Sequence, residues 1–231
     1  MKTILETDKE FICDIQAPCF QMLTPEEAEL VRASKTQVIF RKGDSLTKQG
    51  AFASYVLFII SGLVKQYLEG DSNKSYNLRI IKPGEFAGMS SVFAHHVFNY
   101  SSVALTDCQV YLVEKSAIES VVKQNGSFAY SIIKRYCDQN TDMFNTVRSL
   151  MYKQMNGRLA DVLIYLNGLK TEFPEIIQLL SRKDIADFAG ISTESAVKLL
   201  KGFEKDGMIE LNEKDIIIKQ PQILSEISRR G

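Results

Sequence analysis

Histidine is nearly missing from this 231-residue chain, which has two copies, His95 and His96. As neighbours they would point to opposite sides of an extended segment. That works against the convergent His and carboxylate ligands of a metalloenzyme, and it offers little to a haem. No Ser/His/Asp, Cys/His or paired-carboxylate arrangement stands out elsewhere, so the chain reads as a non-enzyme. Cysteine is also scarce. Cys13, Cys19, Cys108 and Cys137 are too few and too scattered for a disulfide framework, which fits a reducing compartment. No apolar run approaches the ~18 to 20 residues that span a bilayer, and MKTILETDKEF has no apolar stretch of signal-peptide length. A cytoplasmic protein without membrane contact is expected. Net charge is absent too: 28 basic residues balance 28 acidic ones. Any binding of nucleic acid must therefore rest on local charge placement.

What is present is an ordinary globular composition, 45% hydrophobic and 24% charged, which excludes disordered, collagen-like and coiled-coil-only classes. The length suits a domain of roughly 150 residues plus a module of about 80. Thr24-Pro25-Glu26-Glu27 reads as a capping box with proline at the first helical position. From Lys35 to about Glu114, short apolar or alternating segments (Gln37–Phe40, Tyr55–Ile60, Leu63–Leu68, Tyr76–Ile81, Ser101–Leu105, Gln109–Val113) are separated by glycines, the pattern of a β-sandwich or barrel. Ser127 to Met155 contains neither proline nor glycine. Its apolar residues predict one long helix, with Ile132, Ile133, Tyr136, Met143, Phe144, Val147 and Leu150 as a seam against a second copy. The alternative is a helix covered wholly by its own domain.

The last 75 or so residues return to helix. Ser181-Arg182-Lys183-Asp184 has capping-box spacing, Gly190 suits a left-handed turn, and Ser192 caps the next helix. Met208–Leu211 and Ile216–Ile218 form a hairpin. This is a helix-turn-helix with a wing. Its second helix presents Thr193, Glu194, Lys198, Lys201 and Lys205, the lysines spaced i, i+3 and i+7. Such a face fits the major groove, where Glu accepts from cytosine N4 and Lys donates to guanine or neutralises phosphate. Arg182 and Lys183, at a helix N-terminus, are placed to hold a phosphate. A solvated lysine face is the plain alternative.

The segment SRKDIADFAGISTESAVKLLKGFEKDGMIE resembles the DNA-binding module of the catabolite-activator and fumarate-nitrate-regulator (CRP/FNR) superfamily. Upstream, FRKGDSLTKQG with FIISGLVK resembles the family's effector domain, KPGEFAGMSSVF its phosphate-binding cassette, and NGRLADVL the start of its DNA-binding domain. The resemblance implies an α+β protein: an N-terminal double-stranded β-helix jelly roll over 1–126, a dimerisation helix over 127–155, and a winged helix-turn-helix over 156–231. It also implies a homodimer on a pseudo-palindromic double-stranded operator, with RNA polymerase as a further partner if the protein activates. By position, Thr193, Glu194, Val197 and Lys198 fall where the family reads bases, and Arg182, Lys183, Ser192 and Lys201 near where it holds the backbone. Thr193 and Lys198 replace arginines, and lysine lacks arginine's bidentate fork.

The resemblance likewise places an effector pocket at Gly84, Glu85, Phe86, Gly88, Met89, Ser90, Asn99, Tyr100, Met143 and Phe144. The cyclic-AMP-binding members carry glutamate where this chain has Met89, arginine where Asn99 falls, and hydroxyls where Met143 and Phe144 fall. Cyclic AMP is therefore not expected, because phosphate buried without a partner is costly. Two alternatives stay open. One is a redox regulator of the same family: Cys13 and Cys19 are similar to part of the oxygen sensors' iron-sulfur motif, with Cys108 near the place of a further ligand, but such a cluster needs four thiolates. The other is a ligand-binding scaffold that does not bind DNA. No cofactor is expected, and the effector is left unnamed.

Overall fold

The computed structural model describes residues 1–4, 20–71, 74–94 and 96–231. The chain divides into two compact units, 1–73 with 78–139, and 74–77 with 140–231.

The first unit contains β1 (Lys2–Ile4), α1 (Pro25–Ala33), β2 (Lys35–Phe40), β3 (Ser45–Thr47), β4 (Tyr55–Ser61), β5 (Val64–Glu69) and most of β6 (Ser75–Ile81). It continues through β7 (Phe86–Ala87), α2 (Ser90–Phe93), β8 (Ser101–Ala104), β9 (Cys108–Glu114), α3 (Lys115–Gln124) and the first half of α4 (Gly126–Tyr152). The strands form a five-stranded sheet, β1-β2-β9-β4-β7, and a four-stranded sheet, β3-β8-β5-β6. This is the expected jelly roll.

β4 shows why its sequence is apolar without a break. Leu57 and Ile59 enter the core with Val64, Ile81 and Ala104 of the other sheet. Val56 and Phe58 enter a second core with Val31, Ile118, Val121, Phe128 and Ile132 of the helices. A strand buried on both faces needs no polar alternation. The second core is aromatic at its centre: Phe58 lies 5.0 Å from Phe20 and 5.1 Å from Phe86, edge to face in both cases.

The capping box at Thr24 and Glu27 forms, and it is tied to α4. Asn125 accepts the Phe128 N–H at 2.9 Å and donates to Glu27 at 2.7 Å and to the Met22 carbonyl at 2.9 Å. Gly62 makes the β4–β5 turn with φ of 88°. A Cβ there would lie 2.5 Å from the Asp107 carbonyl oxygen and 2.6 Å from Cys108 Sγ. Gly62→Ala is expected to destabilise the chain by about 2–3 kcal/mol, from a positive φ and overpacking together. A urea midpoint unchanged from the parent would contradict this.

The second unit holds the end of α4, then α5 (Met155–Leu169), α6 (Arg182–Ala189), α7 (Thr193–Lys205), β10 (Ile209–Asn212), β11 (Asp215–Ile218) and α8 (Pro221–Arg230). Its core includes Leu159, Leu163, Leu166, Ile176, Ile177, Ile185 and Leu200, all fully buried. The long helix ends at Tyr152, short of the expected Met155, without help from proline or glycine. The cause is tertiary. Asp161 of α5 accepts hydrogen bonds from Ser149 Oγ at 2.8 Å and Lys153 Nζ at 2.7 Å, and from Ser228 Oγ of α8 at 2.5 Å. Gln154 turns extended between the two helices.

Candidate functional site

Two surfaces carry the chemistry, one in each unit. In the second unit, Ser181 Oγ accepts the Asp184 N–H, and the Asp184 carboxylate accepts the Ser181 N–H in return, so α6 starts on a complete capping box. Gly190 stops α6 in the left-handed region at φ 60°, where residues with a Cβ are disfavoured. Ser192 Oγ then takes the Ser195 N–H at 3.1 Å and opens α7. Ala196, Leu200 and Phe203 bury one side of α7. Thr193, Glu194, Lys198, Lys201 and Lys205 stand exposed on the other, with Val197 half-buried between them. The separation of faces follows from helical periodicity alone.

Lys183 and Arg182 are placed differently from one another. Lys183 is exposed, but its ammonium lies 2.6 Å from Asp187 one turn on. Arg182 is half-buried and donates from Nη2 to the Glu213 carbonyl at 3.1 Å. Burial also holds its guanidinium below the ordinary arginine value. The expected phosphate grip by Arg182 is corrected accordingly: the side chain turns back to pin the wing, whose tip is strained by a positive φ of 50° at Glu213. Lys170 holds the same turn from the β11 side, through Asp215 at 2.7 Å and the Ile216 carbonyl at 3.2 Å.

In the first unit, the cassette glycines Gly84 and Gly88 both have positive φ, and the chain between them walls a cavity of about 160 Å³. Six of the expected residues line it: Glu85, Phe86, Met89, Ser90, Asn99 and Tyr100. The opposite wall is α4, which contributes Ile132, Arg135, Tyr136 and Gln139. Met143 and Phe144, expected in the pocket, are instead exposed, at 55% and 65%. They stand a turn or more beyond Gln139. Ile132 and Tyr136, expected in the seam, are corrected in the same way: Ile132 is 4% exposed inside the aromatic core, and Tyr136 packs against that core.

The pocket's electrostatics are simple. Glu85 is paired with Arg79 at 2.7 Å. Arg135 reaches the Gly84 carbonyl at 3.1 Å and has no carboxylate partner among the described residues. Tyr100 accepts the Gly88 N–H at 2.7 Å. Burial raises the Tyr100 phenol and pushes Tyr136 up to about 12, with Tyr100 adding to the latter and the Ser90 hydrogen bond opposing it. Both phenols therefore keep their protons at neutral pH. Arg135 was missed from sequence because α4 was read for one apolar stripe. The signal was available: a cation three residues after Ile132 and seven after Phe128 belongs to the inward face.

Of the possible cluster ligands, Cys13 and Cys19 lie outside the described residues. Cys108 is fully buried between strands, its thiol pushed up by burial, and no group of metal-ligating side chains gathers among the described residues. His95 is also outside them. His96 lies with Nδ1 2.9 Å from Lys115 Nζ. No helix is long and apolar enough to cross a membrane among the described residues.

Residues 37–125, which include the cassette wall of the cavity but not its α4 wall, match the cyclic nucleotide-binding domain, and residues 157–227, which include α6, α7 and the wing, match the Crp-like helix-turn-helix domain. The chain is 24% identical over 202 residues to the anaerobic regulatory protein of Bacillus subtilis, covering 85% of each chain. It is 20% identical over 212 residues to the cyclic AMP receptor protein of Thermus thermophilus, covering 92% of this chain and 97% of the relative. The solved structure of FixK2 from Bradyrhizobium japonicum superposes with a TM-score of 0.73 at 19% identity, covering 85% of this chain and 98% of that one. With both domains matched in this order, the chain belongs to the CRP/FNR family of helix-turn-helix transcription regulators.

Proposed function

We propose that this protein is a cytoplasmic homodimer that reads a pseudo-palindromic operator through α7 and responds to an effector other than cyclic AMP. The observation that carries the reading is the exposed face of α7, where one carboxylate, Glu194, stands among three lysines and nothing in its own unit covers them. Thr193, Glu194, Val197 and Lys198 face the bases. Lys183, Ser192 and Lys201 serve the phosphates, and Arg182 supports them by holding the wing. RNA polymerase is a partner if the protein activates.

The dimer is supported by the outer face of α4. Tyr130, Ile133, Cys137, Asn140, Phe144, Val147 and Met151 follow one another at alternating steps of three and four, and all are exposed. That is the repeat of a two-stranded seam, and a single asparagine within it is a known device for fixing register. Met143 and Leu150 flank the seam. The effector reading rests on the pocket, in which the groups that hold cyclic AMP in the family are replaced by Met89 and Asn99.

The test is selection of bound fragments from a random DNA pool, followed by two variants on the enriched site. Glu194→Ala is expected to relax preference at one G·C pair by about 1–3 kcal/mol, whereas Lys201→Ala weakens all sequences alike and lowers the salt slope by about one. Equal losses in both variants across an operator library would remove the division of roles. A pool with no enriched palindrome would remove the operator.

A further inference from the structure

We propose that the cassette cavity binds a small organic monocarboxylate with an apolar body, its carboxylate held by Arg135. The inference rests on the reading of this unit as an effector domain and names the ligand class.

Size comes first. A cavity of about 160 Å³ is on the scale of the ~150 Å³ cavity that takes a single benzene ring. Charge comes second. Glu85 is neutralised from behind the lining by Arg79 at 2.7 Å, so Arg135 is the lining charge that no opposite charge among the described residues compensates. One guanidinium matches one monoanion, and its planar fork can take both oxygens of a carboxylate in parallel hydrogen bonds. A phosphate dianion would be left half-compensated.

The remaining lining divides by chemistry. Phe86, Met89 and Ile132 are buried apolar side chains that suit a ring or acyl chain. Tyr136, on the next residue after Arg135, keeps its phenolic proton and can donate to the second carboxylate oxygen. Arg135 is half-buried and already fixed to the Gly84 carbonyl at 3.1 Å, so little ordering is left for the ligand to bring about. Met89, which removes the family's ribose contact, is thus part of a floor suited to a different ligand.

The full-length protein would be titrated by calorimetry and thermal shift with benzoate and hexanoate. Benzamide, hexanamide, inorganic phosphate and cyclic AMP serve as comparisons. Benzoate or hexanoate is expected to bind at least tenfold more tightly than its amide and to raise the melting temperature with concentration. Arg135→Gln is expected to abolish that tenfold preference of acid over amide, with each shift read against the variant's own unliganded melting temperature. Should Arg135→Gln fold poorly, Arg135→Lys keeps the charge and loses the fork, and is expected to weaken the carboxylate by about threefold.

Equal binding of acid and amide, no response to either acid at millimolar concentration, or a preference for cyclic AMP each overturns the proposal. The DNA selection described above separates this from the wider reading. Acid binding without DNA enrichment in the presence of that acid sinks the operator reading and keeps the ligand site, whereas enrichment without acid binding does the reverse.

Discussion

A chain carrying Phe144→Glu together with Val147→Glu is expected to sediment as a monomer and to lose between about 10² and 10⁴ in operator affinity. The magnitude is that of avidity: two half-sites held by one dimer turn the second binding event into an intramolecular one, and separating the halves forfeits it without changing a single base contact. Both side chains are exposed in the protomer, so the substitutions leave its own core intact. In the paired seam each would face its counterpart, burying like charges without partners. Helical content by circular dichroism should match the parent, which separates loss of pairing from loss of fold. A double variant that stays dimeric by analytical ultracentrifugation would move the interface elsewhere. A monomer with undiminished affinity would remove the need for one.

Phe128→Ala is expected to destabilise the protein by about 3–5 kcal/mol, the usual result of emptying a large aromatic site that cannot collapse. Phe128 is fully buried, with its ring 6.4 Å from that of Phe20. Its N–H is the one that Asn125 caps, so it sits where α4 is fastened to α1 and α3. Phe93→Ala supplies the contrast: Phe93 is large but exposed, and its loss should fall within about 0.5 kcal/mol. Urea midpoints followed by circular dichroism measure both. A loss at Phe128 below about 1 kcal/mol would show that the aromatic core repacks around the gap.

Local chemistry made much of this architecture readable in advance. The capping boxes at Thr24 and Ser181, the left-handed turn at Gly190 and the cap at Ser192 each involve residues within a few positions of one another, and all four form. The wing was equally legible, because Asn212 and Asp215 close a turn between two short apolar runs. What escaped depended on distant residues. α3 is an ordinary ten-residue segment until β9 and α1 give Ala117, Ile118 and Val121 something to pack on. β7 is two residues long and exists only by pairing with Leu57 and Phe58. In α4 the apolar residues form two stripes, and hydrophobicity alone does not say which faces the helix's own sheet. Ile132 and Tyr136 were therefore assigned to the wrong one, and Arg135 went unread. Arg182 escaped for a similar reason, since the carbonyl that captures it belongs to a turn 31 residues away.

The two stripes of α4 also bear on how such a protein can diversify. Arg135 and Tyr136 lie between Ile133 and Cys137, so a change that alters the pocket along this stretch sits within one residue or two of the outer seam. On the proposed dimer and ligand site, drift on the helical wall is therefore penalised twice, once by ligand and once by partner. On the opposite wall, Met89 and Asn99 lie outside the proposed seam. New effector specificities would accumulate there first, and the replacements at Met89 and Asn99 are where a lineage changing its chemical signal while keeping its oligomer would be expected to leave its marks.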